Sequence, residues 1–559
     1  MKTKINWLEW SKASFEKAEK EDKPILLDLT AVWCHWCHVM DSTSYSDEGV
    51  AETINRDFVP VKVYIDQRPD IRDRYNMGGF PSTVFLNPEG RIITGETYVA
   101  PERMRLLLYA VKAAYKSQKE EIGKKFEKDD RIKIKKEKIT AEINETIVKE
   151  ILLSIEDNFD SFYGGFGLQP KFPAPDVADF LFLQYQKTGN KKYLEMGINA
   201  LDGMHEGIYD KIDFGFFRYS VTQDWKMPHY EKMLDTNAGL LKNYAVAFNI
   251  TNNEKYKTIT EETIGYINRF LSNQNDGCFY GSQDADEEFY QLPVDERKNK
   301  KYPSVDKTVY TDWNAMMISS FIKAGAILND EKTINFAIKS VNFILEKCYD
   351  KKNGLFHYFD GKPNINGLLS DNIYFLNCLI DAYFAAQNQK YLDKVKEFAE
   401  FILKNFYDDK HYGFFDRVQK NKDLGALNQK EKQFLENSFC AVVFLRLYFL
   451  AKNDEYKKAA EKTLQYFADS YLNYGYFAAM YAIAVYMLLN CEIKVDIVNR
   501  KDMINVCMAT NNPRIVVNFI DRKGKIDIGY ESDGAYVCKG TLCKGPINDA
   551  EKLKEEIAT

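Results

Sequence analysis

Two cysteines separated by two residues carry the clearest chemistry in the sequence. Cys34 and Cys37 follow an apolar run at residues 24–31 that is typical of a buried strand, and they open a segment that we expect to be helical. Unpaired backbone N–H groups and the helix dipole at such a position stabilise a thiolate. We therefore predict a thiol–disulfide site in which Cys34 attacks and Cys37, one turn inside the helix and less exposed, resolves the mixed disulfide.

The neighbouring side chains tune this site and leave three alternatives open. A protonated His35 would stabilise the Cys34 thiolate, which predicts a more oxidising pair than a Gly-Pro spacer gives. The same segment has the C-x-x-C-H spacing of haem c attachment. It also offers four soft ligands for zinc, which are Cys34, His35, Cys37 and His38. Two inert buried thiols are the third alternative. The strand before the pair and a proline after it favour redox chemistry, so we predict neither a metal nor a cofactor.

The elements that must position this pair form one α/β domain at residues 1–117. Apolar runs near residues 24–31, 59–65, 82–86 and 91–94 predict four strands. Segments whose apolar residues recur at helical spacing lie before, between and after these strands. The order α-β-α-β-α-β-β-α within about a hundred residues predicts a mixed sheet. Residues 118–140 are rich in Lys and Glu and predict a charged linker.

Residues 141–490 have a different pattern, in which strand signals vanish and twelve helical segments suggest six hairpins. An acidic loop with Gly and aromatic residues returns between helices, with its glycine at positions 165, 215, 277, 354 and 413, which are 50, 62, 77 and 59 residues apart. This spacing suits a helical hairpin with its loops. We predict an (α/α)6 barrel whose loops gather at one end around a cleft for a polar, ring-shaped ligand. Residues 491–559 predict a small α/β appendage with strands at 492–498 and 514–521 and a last helix at 548–557.

Polar residues at the predicted helix starts and loops are the candidates for this cleft. They are Lys171, Arg218, His229, Glu231, Lys232, Asp235, Asp284, Asp286, Asp312, Asn314, Asp371 and Asn437, with Glu436 before the last. His229, Lys232 and Asp235 are predicted to begin a helix after Pro228. Paired carboxylates could cleave a glycosidic bond, and His229 could serve as the base of an epimerisation. The alternative is that these residues cap helices and bind loop carbonyls.

Composition excludes several classes of protein. The 559 residues include 76 Lys+Arg and 82 Asp+Glu, and this balance leaves no basic excess for a nucleic acid. The apolar run at 477–489 is too short to cross a bilayer, and the first ten residues lack the apolar core of a signal peptide, so we expect a cytoplasmic protein. Ten cysteines in this length are not a disulfide framework, and six are single residues in apolar patterns. Cys538 and Cys543 remain as a second pair, which could be a structural clip, half of a metal site, an internal partner for Cys34 or inert thiols.

Two resemblances follow from longer motifs. Residues 27–37, 65–69 and 79–85 resemble thioredoxin, which implies that Pro81 is cis and faces the disulfide and that buried Asp28 accepts the proton of the resolving cysteine. Nearly the whole chain resembles the spermatogenesis-associated protein 20 (YyaL-like) family through motifs at 34–40, 170–173, 218–221, 228–234, 284–286, 313–314, 437–438 and 536–543. That family joins a thioredoxin-like domain to a barrel of the six-hairpin glycosidase and N-acylglucosamine 2-epimerase kind.

The combined prediction is a multidomain protein with a thioredoxin-like domain, an (α/α)6 barrel and a small α/β appendage. The first functional hypothesis is a thiol–disulfide oxidoreductase whose barrel binds a sugar-type or client ligand, with a protein disulfide client or a reductase as partner. The second is a carbohydrate-active enzyme with a regulatory thioredoxin-like domain, and the third is a non-catalytic scaffold. Nucleic acids and membranes are not expected partners.

Overall fold

The computed structural model describes residues 4–129, 142–420, 423–522, 530 and 532–558. The predicted linker at 118–140 lies partly outside this range. Its first part belongs to the helix Pro101–Asp129, which continues beyond the predicted end at residue 117, and residues 130–140 are not described.

The N-terminal domain confirms the predicted order of elements. Its elements are α1 (Lys12–Glu21), β1 (Ile25–Thr30), α2 (His35–Ser42), α3 (Glu48–Asp57), β2 (Val59–Tyr64), α4 (Pro69–Tyr75), β3 (Ser82–Leu86), β4 (Ile92–Glu96) and α5 (Pro101–Asp129). The sheet order is β2-β1-β3-β4, with β1 parallel to β2 and antiparallel to β3. Central β1 is buried along its whole length, because helices cover both faces, and this explains its unbroken apolar run.

The middle of the chain forms the predicted helical barrel. Its helices are α6 (Glu145–Asp157), α7 (Pro175–Thr188), α8 (Lys191–Gly207), α9 (Leu234–Thr251), α10 (Glu254–Phe270), α11 (Glu287–Tyr290), α12 (Val294–Arg297), α13 (Thr311–Leu328), α14 (Glu331–Lys347), α15 (Leu369–Ala386), α16 (Gln389–Phe406), α17 (Phe434–Ala451), α18 (Asp454–Phe467) and α19 (Ala479–Leu489). Helices α7, α9, α13, α15, α17 and α19 pack side by side in a closed inner ring. Each inner helix also packs on an outer one, and α6 pairs with α19 to close the circle. Because the outer helices return the chain, the inner helices share one direction and their N-termini meet at one end.

The inner ring accounts for the most apolar helices of the chain. Among the described residues, Phe434–Ala451 and residues 471–489 are long and apolar enough to cross a membrane by length and composition. Both contribute to the inner ring, where a helix is covered on nearly every side and carries apolar residues all round. Burial inside the barrel therefore explains their hydropathy.

The loops of the barrel differ from the prediction in one respect, because they contain short strands. These are β5 (Tyr219–Ser220), β6 (Pro228–His229), β7 (Lys232–Met233), β8 (Ser272–Asn273), β9 (Cys278–Phe279), β10 (Ser282–Gln283), β11 (Val305–Asp306), β12 (Val309–Tyr310), β13 (Tyr349–Asp350), β14 (Gly354–Phe359) and β15 (Pro363–Asn366). The predicted helix start at His229 is wrong, since His229 and Lys232 lie in strands and the helix begins at Leu234. Pairing between loops, which has no local signal, decides this.

The C-terminal region repeats the topology of the N-terminal sheet. Its elements are β16 (Ile493–Val498), α20 (Asp502–Ala509), β17 (Ile515–Ile520), β18 (Gly534–Lys539), β19 (Leu542–Ile547) and α21 (Ala550–Ala558). The order is β17-β16-β18-β19, with β16 parallel to β17 and antiparallel to β18, as in the first domain. Cys538 and Cys543 face each other across the β18/β19 hairpin and are joined by a disulfide. Of the four interpretations of this pair, the bond agrees with a structural disulfide that clips the hairpin together.

Candidate functional site

The first cysteine pair lies at the start of α2, as predicted. Cys34 is the N-cap residue, and its Sγ accepts a hydrogen bond of 3.2 Å from the Cys37 backbone N–H. The two residues are joined by a disulfide, with their Cα atoms 5.2 Å apart. The Phe80–Pro81 peptide is cis, as the thioredoxin resemblance implies. The expected difference in exposure is absent, since Cys34 is 4% and Cys37 3% exposed.

The barrel covers this pair, because the N-terminal domain lies over the end where the inner helices begin. Met233 and Trp313 of the barrel belong to the same apolar cluster as Trp33 and the two cysteines. The Arg218 guanidinium lies 4.4 Å from the ring centroid of Trp33. The face of the thioredoxin-like domain that carries the disulfide is thus turned towards the barrel mouth.

Polar contacts also join the two parts through the end of α4 and the turn between β3 and β4. Arg74, which is buried, forms an ion pair of 2.7 Å with Asp416. The Tyr75 hydroxyl accepts a hydrogen bond from the Ala426 N–H. Gly90 approaches Gly425 so closely that a Cβ on Gly90 would lie 2.4 Å from the Gly425 Cα, which leaves no room for a side chain.

A buried carboxyl lies in the core strand of the thioredoxin-like domain. Asp28 is 1% exposed, and its Oδ2 lies 3.2 Å from the Lys62 Nζ, which also pairs with Asp41 at 2.8 Å. Burial raises the pKa of Asp28 to about 6, although the charge of Lys62 opposes the rise. This carboxyl can accept or release a proton near neutral pH.

We expect Asp28→Asn to stabilise the protein at pH 8. Unfolded aspartates have pKa values near 3.9, so the folded protein holds this proton more tightly than the unfolded chain does. Stability therefore falls as pH rises from about 4 through about 6 and stays lower above that range. Removing the charge should recover about 1–3 kcal/mol at pH 8. Urea unfolding of both proteins between pH 5 and 8 measures this, and a variant less stable than the wild type at pH 8 would contradict it.

Five inner helices place a carboxyl in their first turn. These carboxyls form a ring around the barrel axis, on the side of the disulfide, which we call the carboxyl ring. They are Asp176, Asp235, Asp312, Asp371 and Glu436. Burial raises the pKa of Glu436 to about 8, with the charges of Asp416 and Asp73 adding to the effect. Asp176 faces open cavity space, yet the enclosing barrel raises its pKa to about 6. Helix N-termini favour such carboxyls, while burial disfavours their charged form.

His357 joins two of these carboxyls to the thioredoxin-like domain. Its Nδ1 lies 2.9 Å from Asp371 Oδ1, and its Nε2 lies 2.7 Å from the Asp66 backbone oxygen. Burial alone would lower the pKa of His357, but the charges of Asp371 and Asp312 and the hydrogen bonds outweigh it and raise the pKa to about 9. The ligand atoms of Asp312, His357 and Asp371 lie within 4.8 Å of one another, a nitrogen and oxygen donor set that could hold a divalent metal.

A cavity of about 480 Å³ opens beside this ring inside the barrel. Its charged and aromatic lining residues are Phe172, Asp176, Arg218, Asp235, Lys242, Tyr374 and Phe439. Phe172 and Leu435 are 44% and 49% exposed and face this space. A second cavity of about 190 Å³ lies towards the C-terminal region, where Lys323 Nζ donates to the Met508 and Thr510 backbone oxygens.

Only part of the predicted cleft converges on this cavity. Arg218 and Asp235 line it, and Asp312 and Asp371 belong to the carboxyl ring above. His229 stacks on Tyr219 with ring centroids 4.5 Å apart, and its Nδ1 lies 3.6 Å from Glu231.

The other candidates stabilise loops. Lys171 pairs with Asp160 and Lys232 with Asp210, and each aspartate is the first residue of a repeated loop. Asp286 caps a short helix through the Phe289 N–H.

Three further candidates complete the set. Asn314 and Asn437 bind the backbone of Phe279 and Phe414. Asp284 accepts a hydrogen bond from Ser304 and lies 3.5 Å from His38 Nε2.

Sequence reasoning missed one carboxyl of the ring, Asp176, and two residues next to the ring, Asp66 and His357. Asp66 and His357 meet only because the two domains dock, and no local pattern predicts that contact. Asp176 could have been predicted from the sequence, because it is the second residue of its helix after the N-cap Ala174. Asp235 has the same position after the N-cap Met233.

The fold and the site define a thioredoxin-like domain fused to an (α/α)6 barrel. Residues 1–133 match the family model Thioredox_DsbH, described as a protein of unknown function, DUF255. Spermatogenesis-associated protein 20 of Homo sapiens is 24% identical, over 74% of this chain and 69% of the relative. An uncharacterized protein of Caenorhabditis elegans is 23% identical, over 99% of this chain and 94% of the relative.

These relatives confirm the resemblance to the spermatogenesis-associated protein 20 family. The barrel also has a solved counterpart, the crystal structure of D-mannose isomerase, with a TM-score of 0.50 and 12% identity over 62% of this chain and 96% of that one. At this identity the likeness establishes the fold of the barrel alone.

Proposed function

We propose that the protein is a thiol–disulfide oxidoreductase that uses Cys34 and Cys37. The observation that carries this proposal is the disulfide at the N-terminus of α2, where the Cys34 sulfur accepts a backbone N–H. The same N–H groups stabilise the thiolate once the bond is reduced.

The reaction uses two exchanges. The Cys34 thiolate attacks one sulfur of a substrate disulfide, forms a mixed disulfide and releases the first substrate thiolate. The Cys37 thiolate then attacks the Cys34 sulfur, which closes the internal disulfide and releases the second. Asp28, with its pKa raised to about 6, accepts the Cys37 proton. A thiol reductase or a small thiol returns two electrons to the pair.

The experiment is a redox titration of the purified full-length protein. The variant Cys538→Ser/Cys543→Ser isolates the first pair. We expect reversible reduction by two electrons at a potential less negative than the roughly −270 mV of thioredoxin, because a protonated His35 between the cysteines would stabilise the reduced form. A pair that resists reduction would overturn the function, whereas a potential as low as that of thioredoxin would overturn only the role given to His35.

A carbohydrate-active enzyme is the second candidate, favoured by the ring of carboxyls above a cavity of about 480 Å³. Glu436, with its pKa raised to about 8, would be the acid at neutral pH. Thermal-shift screening of mono- and disaccharides tests it, and a shift lost in Asp235→Asn supports it.

A further inference from the structure

The partner of the Cys34–Cys37 disulfide is restricted by what covers it. The exposed Trp36 lies beside the pair, but both cysteines are buried in a cluster that includes Met233, Trp313 and Leu427 of the barrel. A folded protein cannot bring its own disulfide to these sulfurs while the domains are docked. The reacting molecule must therefore be small or come from the barrel side.

The barrel cavity is adjacent to the disulfide through shared residues. Arg218 lines the cavity and also covers the ring of Trp33, the residue before Cys34. Asp235 lines the cavity two residues after Met233, which packs in the disulfide cluster. A ligand in the cavity thus lies next to residues that pack on Trp33 and in the apolar cluster of the disulfide.

Arg218 supplies a cationic binding group at this junction, near the carboxyls of Asp66 and Asp235, on which its charge acts. Its guanidinium stacks over Trp33 and lies 5.7 Å from the ring centroid of Tyr219. Within the described part of the chain it makes neither a hydrogen bond nor an ion pair, although it is only partly exposed. A planar guanidinium held by aromatic rings offers paired N–H donors that match a carboxylate.

We infer that the substrate is a low-molecular-weight disulfide that bears a carboxylate, bound in the cavity with that carboxylate on Arg218. This inference rests on the proposed function and names its substrate class. A cavity of about 480 Å³ lies in the range that small ligands occupy, and exposed Phe172 and Leu435 offer apolar contact. Asp235 can accept hydrogen bonds from hydroxyl or ammonium groups of the same molecule.

The chemistry balances with the substrate as the oxidant. The reduced pair attacks the substrate RSSR. A bond forms between the Cys34 Sγ and one substrate sulfur as the bond between the two substrate sulfurs breaks, and one RS⁻ leaves. Cys37 then displaces the second RS⁻. One disulfide and two cysteine thiols become two RSH and the Cys34–Cys37 disulfide, and a small dithiol such as dithiothreitol restores the reduced pair in the assay.

The test compares three oxidants with the full-length protein and dithiothreitol as reductant. These are 3,3′-dithiodipropionate, which carries carboxylates, the neutral bis(2-hydroxyethyl) disulfide, and insulin. After correction for the uncatalysed rates, we expect kcat/KM for the carboxylate disulfide to exceed that for the neutral one by about tenfold, with insulin slowest. Arg218→Gln should bring the first ratio to about one, and the exposed control Arg103→Gln should leave it unchanged.

The outcomes separate this inference from the function on which it rests. Reduction of insulin as fast as of the small disulfides, or a ratio near one in the wild type, overturns the substrate class and leaves the oxidoreductase intact. No catalysed turnover of any oxidant contradicts the proposed function itself. The comparison among oxidants in the wild type needs no variant, so the inference stays falsifiable even if Arg218→Gln does not fold.

Discussion

Cys34→Ser is expected to abolish catalysed thiol–disulfide exchange, with kcat/KM falling by about a thousandfold or more. The reason is that Cys34 lies at the N-terminus of α2, where backbone N–H groups would stabilise its thiolate after reduction, and serine supplies no comparable nucleophile. Cys37→Ser should instead stop the reaction after its first step, because the mixed disulfide on Cys34 has no resolving thiol. Turnover assays measure the first effect, and intact-mass spectrometry detects the trapped adduct in the second.

The matched control for these variants is Cys538→Ser/Cys543→Ser. That disulfide joins adjacent strands of the C-terminal hairpin, so its removal should leave turnover within twofold of the wild type. Undiminished activity in Cys34→Ser would show that the first pair is not the redox centre. An adduct on Cys37 in place of Cys34 would reverse the assigned roles.

Asn314→Ala is expected to lower the free energy of unfolding by about 2–5 kcal/mol. The Asn314 Oδ1 accepts the Phe279 N–H at 2.9 Å, and its Nδ2 donates to the Phe279 and Tyr310 oxygens at 3.0 and 2.8 Å. Alanine leaves these buried backbone groups without their partner. Urea unfolding followed by circular dichroism at 222 nm measures the loss.

The control for this variant is Asn275→Ala in the exposed part of the same loop, with an expected change within about 0.5 kcal/mol. Asn437 makes the same pattern of bonds to Phe414, so Asn437→Ala should behave like Asn314→Ala. A loss below about 1 kcal/mol in both barrel variants would contradict a structural role and return these asparagines to the list of ligand-binding candidates.

The repeated asparagine shows why sequence reasoning about the barrel mouth succeeded only in part. Asn237, Asn314, Asn372 and Asn437 each follow an acidic residue in the first turn of an inner helix. The pattern was visible, but residue type alone does not separate the asparagine, which binds loop backbone, from the acid, which faces the bore. The two residue types lie one or two positions apart in the helix, so they point in different directions relative to the barrel axis.

The three-part architecture, the helix boundaries of the barrel to within a few residues, and the position of Cys34 at a helix start could all be predicted from the amino-acid sequence. These features depend on local signals, namely apolar periodicity, glycines that adopt positive φ and the spacing of two cysteines. Three features became visible only in the folded protein: the barrel packs over the disulfide, His357 binds the Asp66 backbone, and Arg218 lies between Trp33 and the cavity. Each of these contacts joins segments more than a hundred residues apart, and such contacts are selected by the shape and charge of two folded surfaces, which no local window of the chain contains.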